Sequence, residues 1–559
     1  MKILVAALIS ALAQIHVLGT SANANQDLPT ATIEGGIVIG TTTRLHGATV
    51  AVNQFLGIPF ASAPIGTGRF SPPRPTRWSG EIEAKEFGPA CIQVFNPYES
   101  RDFIQDVFSP TRPEESEDCL YLNIFAPRQH TQGHPTPEKD SKRLLPVLFW
   151  LYGGGYKFGS TNLPIYSGAP FASLENIIVV SVNYRTNVFG FPISPAITNL
   201  TERNLGLLDQ RAGLDWVQRN IAAFGGDPSR VTIFGQSAGA YAVDVLLTSP
   251  WGENRDSKPP FRAAIMQSGT YSYNPLGNCN DTLFTAWDSL LNHTNCTSSP
   301  RSPSAEYTCI LNTPVPALRY AQEMYSITFG MAGDNKTIVC DPRLRRESGA
   351  FAHVPIIGGS NTQDGSYYAT KNGTDITRYL NLLFPNETTL QTTILSAYAL
   401  NPTQGRYDNI SILTQIHTDW NFHCPALFLS NSSTRYIPTY RYLFNATFPN
   451  QRLSTLPDDR WPVSAQGAYH ASEIPLVFST YNRTNATAAQ KRLSDTMRGA
   501  WARFARDPWR APMEGWGVSG VNGSRVMVFG RDGGSAVQGG WDREGLCGVW
   551  KDYVWGKHL

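Results

Sequence analysis

Short, nearly continuous apolar runs recur along the chain, separated by turn formers and by stretches with helical spacing of apolar residues. Residues 147–152, 177–184, 231–234, 263–267 and 355–358 are such runs. They are too short for buried helices and lack the apolar–polar alternation of a strand with one wet face. They therefore predict strands of a parallel sheet covered on both faces. Residues 205–223, 238–247 and 491–505 predict helices. Strands alternating with helices imply an α/β fold with a mostly parallel central sheet flanked by helices. The stretches 270–350 and 370–435 are rich in turn formers and predict cap insertions above that sheet. Residues 130–142, rich in Pro, Gln, Lys and His, predict an exposed loop.

The amino terminus follows a different rule. Lys2 precedes an apolar stretch over residues 3–13, then small residues around Ala22-Asn23-Ala24. This order of charge, short apolar core and small-residue site predicts a signal peptide over residues 1–24, leaving 25–559 as one domain. No later run of about 20 apolar residues occurs, so stable membrane insertion is not expected, and the lysines and histidine near the end argue against a lipid-anchor signal. Glycosylation sequons occur at Asn199, Asn280, Asn292, Asn295, Asn335, Asn372, Asn386, Asn409, Asn431, Asn445, Asn482, Asn485 and Asn522. Chance would supply about half as many, so a secreted, extracellular glycoprotein is expected. A net charge of +2 in 559 residues leaves no footprint for nucleic acid. The eight cysteines include no C-x-x-C pair and no zinc spacing, so disulfides are expected and no metal site.

Chemistry concentrates at Gly235-Gln236-Ser237-Ala238-Gly239. Alone, a G-x-S-x-G is a motif that chance supplies readily. Here it follows the strand-like 231–234 and opens a helix at Ala238, the context of a sharp turn that exposes a serine hydroxyl beside a helix N-terminus. Upstream, Gly153-Gly154-Gly155 ends another predicted strand. Such a loop lets backbone N–H groups face a developing oxyanion, with the N–H of Ala238 opposite. A flexible turn is the plainer reading, and the lack of G-K-[ST] excludes a nucleotide P-loop.

A serine nucleophile needs a histidine base and a carboxylate to orient it. The histidines beyond Ser237 are His293, His353, His417, His423, His470 and His558. His470 sits in a loop entering an apolar segment, and His423 adjoins Cys424. Asp364 follows a predicted strand and precedes a glycine, while Glu473 is a second carboxylate near His470. The residues alone leave both assignments open, since loop His and Asp residues are usually just solvated.

Taken together, these segments resemble the type-B carboxylesterases, the group of cholinesterases and fungal secreted esterases and lipases. The resemblance extends through Gly57-Ile58-Pro59-Phe60-Ala61, Glu117-Asp118-Cys119-Leu120-Tyr121-Leu122-Asn123, Asn204 to Gln210 and Phe224-Gly225-Gly226-Asp227-Pro228 to the loop at His470. It implies an α/β-hydrolase fold and an enzyme without cofactor. The triad would be Ser237, Asp364 and His470, and the oxyanion hole Gly154, Gly155 and Ala238. Asp364 departs from the glutamate usual in the family, so the histidine or its loop must sit slightly closer. Glu473 corresponds to a structural position after the histidine. The resemblance also implies the bridges Cys91–Cys119, Cys296–Cys309 and Cys424–Cys547, which leaves Cys279 with Cys340.

The stretch between Cys91 and Cys119 carries Phe95, Tyr98, Phe103, Ile104, Val107 and Phe108, either as a cover over an acyl pocket or as plain core packing. It holds no tryptophan for a cation–π contact with choline, and Gln236 replaces the glutamate common before the serine in cholinesterases. A serine carboxylesterase acting on small-molecule esters is therefore expected. A lipase acting on longer-chain acylglycerols and a non-catalytic cholinesterase-like binding protein are the alternatives.

Overall fold

The computed structural model describes residues 28–76, 78–128, 144–251, 258–273, 284–371, 375–399, 409–453, 466–520, 525–530, 532–539 and 544–556. The expected signal peptide, the loop 130–142 and Cys279 lie outside the described residues.

The strands in chain order are β1 (Thr30–Ile33), β2 (Gly36–Ile39), β3 (Thr41–Thr43), β4 (Val52–Pro59), β5 (Gly80–Glu83), β6 (Tyr121–Pro127) and β7 (Leu145–Leu151), followed by β8 (Ile178–Val182), β9 (Gly226–Gln236), β10 (Ala263–Gln267), β11 (Ile356–Asn361), β12 (Thr439–Asn445), β13 (Arg525–Gly530) and β14 (Ser535–Gly539). An 11-stranded sheet runs β14-β13-β12-β11-β10-β9-β7-β8-β6-β4-β3, and β1, β2 and β5 form a small second sheet. Pairing is parallel from β13 across to β8 and antiparallel at both margins. Every residue of β7, β8, β10 and β11 is buried, as parallel strands covered by helices on both faces must be.

The five predicted strands and three predicted helices are present, with small shifts at their ends. The central helices are Leu205–Asn220, Ala238–Thr248 and Ala488–Arg506. β12 escaped prediction because its sequence, Thr-Tyr-Arg-Tyr-Leu-Phe-Asn, carries an arginine inside an otherwise buried strand; Arg441 is 1% exposed and pairs with Glu544.

The two insertions prove largely helical. Between β10 and β11 stand Thr285–His293, Pro303–Asn312, Val315–Met324 and Pro342–Glu347. Between β11 and β12 run Ser366–Lys371, Ile376–Leu383, Thr388–Ala399, Asn409–Thr418 and Cys424–Ser433. Both leave from the carboxyl ends of adjacent parallel strands, the edge where α/β sheets bind ligands. Disulfides brace this side: Cys91–Cys119 closes the stretch between β5 and β6, Cys296–Cys309 staples the first insertion, and Cys424–Cys547 ties the second to the helix Cys547–Gly556.

A buried ion pair fixes the exit of β8. Arg185, 2% exposed, donates from Nε at 2.8 Å and from Nη2 at 2.7 Å to Asp209, which is fully buried. The remaining guanidinium nitrogen donates to the carbonyl of Ser71 at 2.9 Å. Removing one partner strands a charge away from water. Asp209→Ala should therefore cost about 3–5 kcal/mol of stability, measured as a lower midpoint in urea unfolding; an unchanged midpoint would show that water reaches the guanidinium.

Candidate active site

The sharpest feature of the backbone lies where β9 ends. Ser237 has φ 55° and ψ −123°, a conformation costly for a residue with a side chain. The turn passes so close to the end of β7 that side chains are excluded beside it. A Cβ on Gly239 would stand 2.0 Å from the Leu151 carbonyl oxygen, and one on Gly235 would stand 2.5 Å from Gly239. The Ser237 N–H donates to the Gln267 carbonyl at 2.9 Å, and its own carbonyl accepts from Tyr241 N–H at 2.9 Å. Both neighbouring elements thus hold the serine, which is half-buried.

β7 delivers the glycine loop to the same point. A Cβ on Gly153 would lie 3.0 Å from the Ser237 Cβ, so the two turns are in contact. Gly154 and Gly155 adopt φ of 113° and 62°, values that favour glycine. Among the described residues, the N–H groups of Gly154, Gly155 and Ala238 donate no hydrogen bond.

Two loops bring in the partners. The loop after β11 carries Asp364 and the loop before the short helix Ile474–Val477 carries His470. They are laced by Gln363 N–H to the Ala468 carbonyl at 3.2 Å and by Ala468 N–H to Gln363 Oε1 at 2.8 Å. His470 Nδ1 meets Asp364 Oδ1 at 2.8 Å, and both residues are buried. The second carboxylate oxygen accepts from Ser268 Oγ at 2.8 Å and from Asn361 N–H at 2.6 Å. At the far side of the ring, His470 Nε2 lies 3.0 Å from Gln236 Nε2. Ser237 Oγ makes no hydrogen bond among the described residues.

The rival groups lie elsewhere. Glu473 turns away from the imidazole and accepts from Asn361 Nδ2 at 2.7 Å and Gln267 Nε2 at 3.1 Å. Burial, and next the charge of Asp364, push its carboxyl up to about 7. His423 ends a π-helical turn directly before Cys424.

Several neighbours carried no signal in the sequence. His417 is buried, stacks on Tyr368 at 4.4 Å and joins Tyr379 Oη through Nδ1 at 2.5 Å. Burial, and next the nearby His470, push its imidazole down to about 3. Ser268 and Asn361 likewise meet the triad candidates only through the fold, since strand register decides which polar side chain faces which; Gln236 stood out by its place before Ser237, but its contact with His470 comes from the fold.

The Cys91–Cys119 stretch folds over this region through the helix Arg101–Phe108. Phe95 stacks on Phe158 at 5.0 Å, and Phe103 and Phe108 pack on Tyr367 at 6.0 and 5.0 Å. With Ile104, Tyr368 and Tyr469 they form a cluster separate from the main core. The apolar stripe therefore packs against neighbours of His470 and Asp364 rather than into the sheet.

The Carboxylesterase family model matches residues 27–515. The chain belongs to the carboxylesterase family. It is 31% identical over 487 residues to the para-nitrobenzyl esterase of Bacillus subtilis (strain 168), covering 85% of this chain and 89% of that one. It is 31% identical to the acetylcholinesterase of Electrophorus electricus, covering 81% and 76% of the two chains. With the fumonisin B1 esterase of Sphingopyxis macrogoltabida the identity is 30%, covering 82% and 80%. This carboxylesterase is thus a carboxylic ester hydrolase on an α/β-hydrolase fold. No helix among the described residues is long and apolar enough to cross a membrane.

Glu473 makes the stability of this carboxylesterase depend on pH. Its folded carboxyl titrates near 7 against 4.5 ordinarily, so between these values the folded state binds more protons. The advantage of burying it neutral is complete below about pH 4.5 and is lost as pH rises through about 7. Glu473→Gln has no such proton. The melting temperature of the natural protein should fall by several degrees relative to this variant between about pH 5 and pH 8. Parallel curves would show that the carboxyl is ionised throughout.

Proposed function

We propose that this carboxylesterase cleaves soluble, small-molecule esters through an acyl-enzyme on Ser237, with His470 as base and acid and Asp364 as its orienting carboxylate. The observation that carries this reading is the 2.8 Å contact between Asp364 and His470 beside the strained Ser237 turn. An Nδ1–H held by the carboxylate leaves the Nε2 lone pair to take the Ser237 proton as Oγ attacks the ester carbon. The developing oxyanion is received by the N–H groups of Gly154, Gly155 and Ala238, whose lack of other acceptors supports this role. His470 then hands the proton to the departing alkoxide, and water resolves the acyl-enzyme by the same steps.

A small ester is favoured because the aromatic cover is braced by Cys91–Cys119 and packed on Phe158 and Tyr367. The segment contains no tryptophan to receive a quaternary ammonium. Export of the chain after a signal peptide over residues 1–24, with glycans on the mature domain, belongs to the same proposal. Exposure of sequon residues such as Asn199, Asn292, Asn335, Asn386, Asn445 and Asn482 supports it. Asn431 lies half-buried within the helix Cys424–Ser433 and is the site expected to stay unmodified.

Ser237→Ala should lower kcat/KM for a short-chain p-nitrophenyl ester by about 10⁴-fold or more while the protein still melts cooperatively. Asp364→Asn should cost about 10⁴-fold in kcat by holding the wrong tautomer. Undiminished turnover in Ser237→Ala would overturn the proposal. A preference for long-chain esters that rises at an interface would make it a lipase.

A further inference from the structure

We propose that Gln236 sets the acid limit of catalysis by capping the lone pair of His470. The inference rests on the serine mechanism above. Asp364 Oδ1 stands 2.8 Å from His470 Nδ1, so the neutral ring carries its proton there and its lone pair on Nε2. The Gln236 amide is 3.0 Å from Nε2, and only its N–H side can bond a lone pair. Gln236 is 3% exposed and its amide oxygen fills the space beside Gly153. The hydrogen bond is thus buried and oriented, which strengthens it relative to one made in water.

Protonating Nε2 replaces the lone pair with an N–H and sets donor against donor. The neutral imidazole keeps this bond and the imidazolium loses it, unless the amide turns over against Gly153. Gln236 therefore resists protonation of the base from solvent. Within the reaction cycle Nε2 must release this bond to take the Ser237 proton, a cost that falls on the plateau rate and is separate from the position of the acid limb. A carboxylate at this position would do the reverse. It could only accept, and its charge would favour the imidazolium in the resting enzyme. Among the described residues, the other titratable groups around the ring are Asp364, Glu473 beyond it, Tyr368 on the helix Ser366–Lys371 and His417 on the helix Asn409–Thr418. None of them is altered by changing Gln236.

The test is the pH profile of kcat/KM on a short-chain p-nitrophenyl ester for the full chain, Gln236→Met and Gln236→Glu, with Ser237→Ala alongside. Methionine keeps the shape and removes the donor. Its acid limb should move to higher pH, giving about a threefold loss at a pH well below the limb beyond any change in the plateau. Glutamate should move the limb further, with about a tenfold loss or more there. A merely structural role would lower the whole profile and leave the limb in place. Acid limbs that superimpose on the natural one, with Ser237→Ala inactive, would overturn this inference and leave the serine mechanism standing. An active Ser237→Ala would overturn both. If Gln236→Glu does not fold, the position of the Gln236→Met limb decides alone.

Discussion

The structure turns on a crossing where no side chain fits. The turn at Ser237 passes over the end of β7 with Gly239 against the Leu151 carbonyl, and the glycine loop leaves β7 at that same point. Because both segments emerge from neighbouring parallel strands, β7 and β9, their spacing is set by the sheet itself. The strain of a serine at positive φ is therefore carried by a rigid support. Hydrogen bonds from the next strand at Gln267 and the next helical turn at Tyr241 complete it.

Around this crossing, buried polar groups decide orientation. Asp364 is held through one carboxylate oxygen by Ser268 and by the backbone of Asn361, which leaves the other to meet His470. Asn361 also donates through its side chain to Glu473, and Gln267 reaches the same carboxyl. One short strand end therefore orients both acids and separates their tasks: one carboxylate faces the imidazole, the other is kept from it and driven toward neutrality. The loop of Asp364 is laced to the histidine loop between Gln363 and Ala468, which holds the two side chains in contact.

The aromatic stretch between Cys91 and Cys119 has a comparable logic. Its aromatic residues are too few for an independent core, so they pack on the rings nearest the site, Phe158, Tyr367 and Tyr368. The same rings thus tie this segment to the loops that carry Asp364 and His470. Disulfides hold the inserted segments without lengthening any strand.

Continuous apolar runs exposed the parallel centre of the sheet, since strands covered on both faces need no polar residue. The elbow was legible because its glycines answer a local steric demand, and the glycine loop for the same reason. β12 was hidden by Arg441, whose charge is tolerable only beside Glu544 from the far end of the chain. The helices of the insertions were hidden because their apolar positions face partners remote in sequence. Local backbone chemistry thus determined the turn at Ser237 from the sequence by itself. The residues themselves left Asp364 and Glu473 open and the resemblance favoured Asp364; tertiary structure brought Asp364 to His470, and it alone decided that Gln236 faces the other nitrogen and that His417 is buried neutral nearby. Those are matters of register and loop packing, and contacts between residues far apart in the chain leave no periodicity to read.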